Sequence, residues 1–207
     1  MPFSTFQTEF RPCYNGGVIS AVIFDCFGVL ASDGWLPFKA RYFQDSPELN
    51  LQATLLNKAV DAGTASYNDF IHQVAQMAGL PEDVARHQIE NNIPDEKLFT
   101  YIKELKQHYK IGLLSNAGDN WLGDIFTPEQ VTLFDAAVFS YEVGTIKPDA
   151  RMYETIAERL QVKLQECVFV DDQPRYVTGA QAVGMRAVLY ADAEQFEQEL
   201  PALLADS

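Results

Sequence analysis

The chain has 207 residues, and its 29 acidic against 15 basic side chains give a formal net charge of −14. With no compensating Lys/Arg cluster, that balance argues against nucleic acid and anionic membrane as partners, while leaving room for a locally positive pocket. A hydrophobic share of 47% is that of a globular protein, and no apolar run approaches the roughly 20 residues that span a bilayer.

This length accommodates one core domain with a smaller insert. The first six residues, Met1 to Phe6, lack the basic region and long apolar core of a signal peptide. Cys13, Cys26 and Cys167 are too few and too scattered for a disulfide framework or a zinc site, so a cytoplasmic protein is expected. Residues 1–17, with Arg11-Pro12 and Gly16-Gly17, read as a loosely structured lead-in.

Residues 18–24 (Val-Ile-Ser-Ala-Val-Ile-Phe) read as a buried strand that ends on Asp25, with Gly28 marking the turn. Residues 31–97 read as mostly helical. Pro47 opens one helix carrying Leu49, Leu51, Leu55, Leu56 and Val60. A second runs from Asp69 to Ala78 and stops at Gly79, and Pro81 lies near the start of a third. The aromatic tract Trp35-Leu36-Pro37-Phe38, followed by Lys39, Arg41, Tyr42 and Phe43, reads as a packed hinge. From Pro94 the pattern alternates: helix 96–108, strand 110–114, strand 136–140, helix 150–160, strand 167–170, helix 177–183 and strand 186–190. Strands alternating with helices predict a parallel sheet covered on both faces. The architecture expected is an α/β domain interrupted after its first strand by a helical insert.

In such sheets ligands bind beyond the carboxyl ends of the strands. Asp25, Ser115 and Asp171 all fall at predicted strand ends. An ionised Asp25 in apolar surroundings would cost several kcal/mol without a partner. Ser115, followed by Asn116, offers a hydroxyl and nearby N–H groups suited to an anion's oxygens. Lys147, pinned by Pro148 ahead of a helix, could neutralise both a carboxylate and a bound anion. The adjacent acids Asp171 and Asp172 suit a hard divalent cation with oxygen ligands. His72, His87 and His108 lie on predicted helices without ligand spacing and read as helix-face residues.

In this order, Phe24-Asp25-Cys26-Phe27-Gly28-Val29-Leu30, Leu114-Ser115-Asn116, Lys147-Pro148 and Val170-Asp171-Asp172 resemble the four motifs of the haloacid dehalogenase-like hydrolases. The resemblance implies a Rossmann-like α/β core over residues 1–30 and 98–207, with an α-helical cap over 31–97. It implies Asp25 as a nucleophile that forms an aspartyl-phosphate, Ser115 and Asn116 as phosphoryl-binding residues, and Lys147 as the charge that holds Asp25 ionised. It implies Mg2+ held by Asp25, the backbone carbonyl of Phe27, Asp172 and Asp171 directly or through water, and a small phosphorylated metabolite as substrate.

One position departs from the pattern. Phosphatases of this kind commonly carry a second aspartate two residues after the nucleophile as general acid and base, and here that residue is Phe27. Losing a positioned acid costs about 10²–10⁴-fold for a leaving group that needs a proton. Readily departing groups, such as an anomeric sugar phosphate or an acyl phosphate, are therefore the expected preference. An aromatic residue at this position also resembles the metal-independent 2-haloacid dehalogenases, although the Asp171-Asp172 pair fits a phosphatase of the sugar-phosphate branch. A third expectation is a binding or regulatory protein with little turnover. Of the weaker candidates, Trp121 reads as packing and Arg175 as a partner for a cap carboxylate.

Overall fold

The apolar run before Asp25 forms β1 (Ala21–Phe24), with every side chain buried, in a computed structural model that describes residues 18–205. The lead-in expected for residues 1–17, and Cys13 with it, lie outside the described residues. Four further strands follow: β2 (Lys110–Ser115), β3 (Ala136–Phe139), β4 (Cys167–Asp171) and β5 (Arg186–Leu189). All pair in parallel in the order β3-β2-β1-β4-β5. β1 is shorter than the predicted strand because pairing on both sides starts only at Ala21, opposite Lys110 and Cys167.

Side chains alternate across the sheet, so β1 feeds two cores. Val22 and Phe24 join Ile111, Leu113, Phe99, Ile102, Phe196 and Leu200 on one face. Ala21 and Ile23 join Leu114, Met152, Tyr153, Ile156 and Phe169 on the other.

Between β1 and β2 lie α1 (Trp35–Phe43), α2 (Pro47–Asp61), α3 (Tyr67–Ala78), α4 (Glu82–Ile89) and α5 (Glu96–Leu105). Helices α1 to α4 pack around an apolar cluster of their own that includes Phe38, Phe43, Phe70, Ile71 and Val74. The tract expected as an aromatic hinge is therefore a helix. Its Phe38 and Phe43 are buried, and Trp35 meets Phe70 with ring centroids 5.0 Å apart. Helix α3 begins two residues before the predicted start because Ser66 caps it, accepting from the Asp69 N–H at 3.4 Å. The chain enters and leaves this helical group along adjacent paths: Ser32 N donates to Ile93 O, and Asp95 N to Leu30 O, each at 2.9 Å.

The remaining helices are α6 (Leu122–Ile125), α7 (Pro128–Val131), α8 (Ser140–Val143), α9 (Ala150–Leu160), α10 (Pro174–Ala182) and α11 (Ala193–Ala205), with a 3-10 turn at Leu164–Glu166. Helix α10 starts at Pro174, three residues earlier than predicted, because proline suits the first helical turn. Helix α11 has no counterpart in the sequence reading, and its Phe196 and Leu200 complete the first core. No described helix is long and apolar enough to cross a membrane. Cys26 and Cys167 are buried free thiols.

Candidate active site

β1 is the central strand, and the chain leaves it toward β2 on one side while β4 and β5 lie on the other, which makes its carboxyl end the topological switch point. Asp25 directly follows β1, and its N–H donates to Val170 O at 2.9 Å. Ser115 ends β2 and Asp171 ends β4, the two strands flanking β1. The strand-end residues read from the sequence are thus brought together at one edge.

Lys147 binds the cluster from below. Its Nζ is 2.7 Å from Asp25 Oδ1 and 2.7 Å from Asp171 Oδ2, and its side chain is only 1% exposed. It also lies over the rings of Tyr176 and Phe169, at 4.9 and 5.3 Å from their centroids. Burial drives the Asp25 carboxyl well above the usual carboxylate range; Lys147 opposes this and Asp171 reinforces it. Burial lowers the Lys147 ammonium's affinity for its proton, but Asp171 and Asp25 outweigh it and hold the group above its ordinary range.

The two adjacent acids have different environments. Asp171 is fully buried, its Oδ2 engaged by Lys147 and its Oδ1 accepting from Gln173 N at 2.8 Å. Asp172 is half-buried and lines the cavity above the site, together with Asp25 and Phe27. Burial, first of all, raises the Asp172 carboxyl. Carboxylate oxygens of Asp25, Asp171 and Asp172 lie within 4.8 Å of one another. Three carboxylates against the single ammonium of Lys147 leave two negative charges, which a divalent cation would balance. An all-oxygen donor set of this kind fits Mg2+.

Gly28 makes room for this arrangement. Its φ is +88°, and a Cβ there would lie 2.6 Å from Asp172 Oδ2. Gly28→Ala is therefore expected to lower stability by about 1–2 kcal/mol from backbone strain and to weaken Mg2+ binding by displacing Asp172. Denaturant midpoints together with a Mg2+ titration check this, and an unaltered Mg2+ affinity would contradict it.

Ser115 is 1% exposed and lines the cavity, its hydroxyl having only a long 3.5 Å contact to Asn116 O. Asn116 is tied to its neighbours: Oδ1 accepts from Lys147 N at 2.7 Å, and Nδ2 donates to Tyr176 Oη at 3.1 Å. It therefore braces the loop that carries Lys147 while also lining the cavity. Phe27 packs against Trp121 with the rings tilted and their centroids 4.8 Å apart, so Trp121 both packs and walls the cavity. Arg175 forms no ion pair with a cap carboxylate among the described residues. It donates instead to its neighbour Tyr176 Oη at 2.7 Å and lies over that ring. Of the histidines, His72 pairs with Glu82 at 2.5 Å on the exposed side of the helical group.

The cavity measures about 710 Å3 and is lined on one side by residues of helices α1, α2, α3 and α4. Trp35, Lys39, Asn57, Asp61 and Arg86 from these helices face it, with Asp33 from the preceding loop. Lys39 reaches the cavity, whereas Arg41 lies over the Tyr42 ring. Asp33 and Asp61 are absent from the sequence reading because acids near helix ends ordinarily read as caps or solvated groups.

With the site described, comparison with known proteins identifies its class. The haloacid dehalogenase-like hydrolase family matches residues 19–184, and the chain belongs to that family. It is accordingly an enzyme, a hydrolase. A sesquiterpene phosphatase of Aspergillus oryzae is 28% identical over 185 residues, which cover 84% of this chain and 90% of that protein. A phosphatase of Mycobacterium tuberculosis is 46% identical over 57 residues, covering 28% of this chain and only 26% of that protein's length. Among solved structures, a family enzyme from Bacteroides thetaiotaomicron in a magnesium complex shares the fold with a TM-score of 0.68 at 21% identity, over 89% of this chain and 99% of that one. A 2-haloacid dehalogenase from Pseudomonas syringae shares it with a TM-score of 0.59 at 18% identity, over 90% and 98%.

Proposed function

We propose that the protein is a Mg2+-dependent phosphatase of small phosphorylated metabolites, working through an aspartyl-phosphate on Asp25. The observation that carries this reading is the convergence of Asp25, Asp171 and Asp172 within 4.8 Å, with Lys147 supplying one positive charge to three negative ones. In this reading residues 1–30 and 98–207 are the catalytic core and residues 31–97 the cap over it.

Asp25, Asp172 and the Phe27 carbonyl would hold the metal, while Asp171, engaged by Lys147 and Gln173, backs them from inside. When bound, Mg2+ supplies the charge that lets a carboxylate approach an anionic phosphoryl group. Asp25 attacks phosphorus, Ser115 Oγ donates to a phosphoryl oxygen, and Lys147 stabilises the charge shared between nucleophile and phosphoryl group. Asn116 keeps the Lys147 backbone in register with Ser115. The cavity exceeds what a phosphate alone requires and falls in the range of organic ligand sites, so it accommodates the rest of a metabolite. Relatives named as phosphatases, one acting on a sesquiterpene, support the reaction type.

The test is release of inorganic phosphate from a broad panel of phosphate esters and acyl phosphates, with Mg2+ and with EDTA. Mg2+-stimulated release on at least one of them is expected, and silence across the panel would refute the reading. Phe27 favours a second reading, metal-independent dehalogenation, since halide departs unprotonated. Halide release from 2-chloropropionate in EDTA would establish it in place of the first.

A further inference from the structure

If the protein is a phosphatase, Phe27 leaves the departing alkoxide without a proton donor in the usual place. The cavity is lined by five further carboxyl groups: Asp33, Asp61, Glu90, Asp119 and Asp124. Asp33 caps α1, its Oδ1 accepting from Trp35 N at 2.7 Å and Leu36 N at 3.1 Å. Glu90 pairs with Arg86 at 2.8 Å. Asp119 and Asp124 are exposed to solvent. Asp61 lines the cavity, is partly sheltered from solvent and is held by a single neutral side-chain amide, whereas the equally sheltered Asp33 is held by two backbone N–H groups. Asp61 Oδ2 accepts from Asn57 Nδ2 at 2.9 Å, and no salt bridge reaches it among the described residues.

Asp61 is also tied to the catalytic loop, although it belongs to the helical group. The Ser140 hydroxyl, itself fully buried, donates to the Asp61 carbonyl and accepts from Ala117 N at 2.8 Å, two residues past Ser115. Gly118 lets the end of α2 come this close, since a Cβ there would lie 2.7 Å from Val60 O. The end of α2 is thereby docked onto the loop that follows β2.

We infer that the Asp61 carboxyl is the general acid and base of this enzyme, placed at the end of α2 where it lines the same cavity as Phe27. The inference rests on the phosphatase reading above. As Asp25 forms its bond to phosphorus, the bond to the ester oxygen breaks, and that oxygen takes the Asp61 proton. Asp61, now a carboxylate, then accepts a proton from water as the water attacks phosphorus. The phosphate leaves, Asp25 returns as a carboxylate and Asp61 is again an acid.

The charged groups around Asp61 suit this role. Burial pushes its carboxyl up to about 7; Lys147 opposes this, Asp33 reinforces it, and Arg175 from α10 opposes it more weakly. From the same cavity α3 presents Tyr67 and the loop after β2 presents Asp119. An acid near the working pH serves equally well as donor and as acceptor.

The experiment compares kcat/KM, which reports the steps up to phosphoryl transfer, for acetyl phosphate and for the alkyl phosphate that the wild-type enzyme hydrolyses fastest. Acetate departs without a proton and an alkoxide does not. In Asp61→Asn the ratio of the two is expected to widen by about 10²–10⁴-fold in favour of the acyl phosphate. The wild-type profile needs no variant: kcat/KM for the alkyl ester should fall as pH rises through about 7, with no such limb for acetyl phosphate. Equal losses on both substrates in Asp61→Asn would overturn the role of Asp61, as would a shared alkaline limb. A wild-type enzyme active on acyl phosphates alone would do the same while leaving the phosphatase reading intact. No Mg2+-stimulated activity on any ester or acyl phosphate would remove both.

Discussion

Asp25→Asn is expected to abolish phosphate release while leaving the fold at least as stable as the wild type. An amide cannot form the acyl-phosphate bond, and loss of a covalent nucleophile costs on the order of 10⁶-fold in kcat. The stability side follows from the electrostatics of the cluster. Asp25 and Asp171 compete for one buried ammonium, and burial raises the Asp25 carboxyl well above its ordinary range. A buried acid with a raised native pKa binds more protons folded than unfolded, so ionising it at neutral pH opposes folding. Replacing it with a neutral amide removes that opposition and leaves Lys147 paired with Asp171. Thermal midpoints in EDTA near neutral pH should therefore hold or rise, alongside a lost turnover. Residual release within tenfold of wild type would exclude Asp25 as nucleophile, and a lowered midpoint would contradict the electrostatic account.

Lys147→Met carries the opposite signature. Methionine keeps much of the length of the side chain but leaves the buried Asp25 and Asp171 without their shared cation. Removing one partner of a buried charge cluster costs about 3–5 kcal/mol, and loss of a charge-stabilising donor costs a further 10²–10³-fold in kcat. The pH dependence distinguishes this from a simple packing defect. Without the ammonium that opposes burial, the Asp25 carboxyl titrates higher still in the folded chain than in the unfolded one, where an aspartate ionises near 3.9. The native state then binds more protons, and stability declines as pH rises above that value. The variant should thus recover stability toward pH 4, measured as a rising urea midpoint. A pH-independent deficit would mean that Lys147 contributes only volume.

The α/β alternation, the five strands and the helical group after β1 were legible in the chain because buried parallel strands read as short apolar runs and helices carry their own punctuation. Gly79 ends α3 as expected, whereas Ser66 and Pro174 set helix starts two and three residues ahead of the expected ones. The tract from Trp35 was harder: its aromatic density signals packing, but only contact with Phe70 and Phe38 shows that it packs as a helix. Helix α11 was not legible because its apolar positions make sense only against the sheet face that Phe196 and Leu200 cover.

The four motifs could be read in sequence because each sits at a strand end or just ahead of a helix, positions that the local pattern reveals. Their order alone identified the family and raised the question posed by Phe27. Where their charges fall, and what answers Phe27, could not be read that way. Asp171 and Asp172 are neighbours in the chain, yet one faces Lys147 in the interior and the other faces the cavity, because successive residues leaving a strand point in opposite directions. Asp61 ends a helix in a separate group, and nothing local distinguishes it from a solvated surface acid. The docking of α2 onto the loop after β2, through Ser140 and Gly118, brings that helix end to the cavity, where burial raises the Asp61 carboxyl. Local sequence determines strand ends and caps, whereas burial and charge arise between segments distant in the chain, and only the tertiary structure brings those segments together.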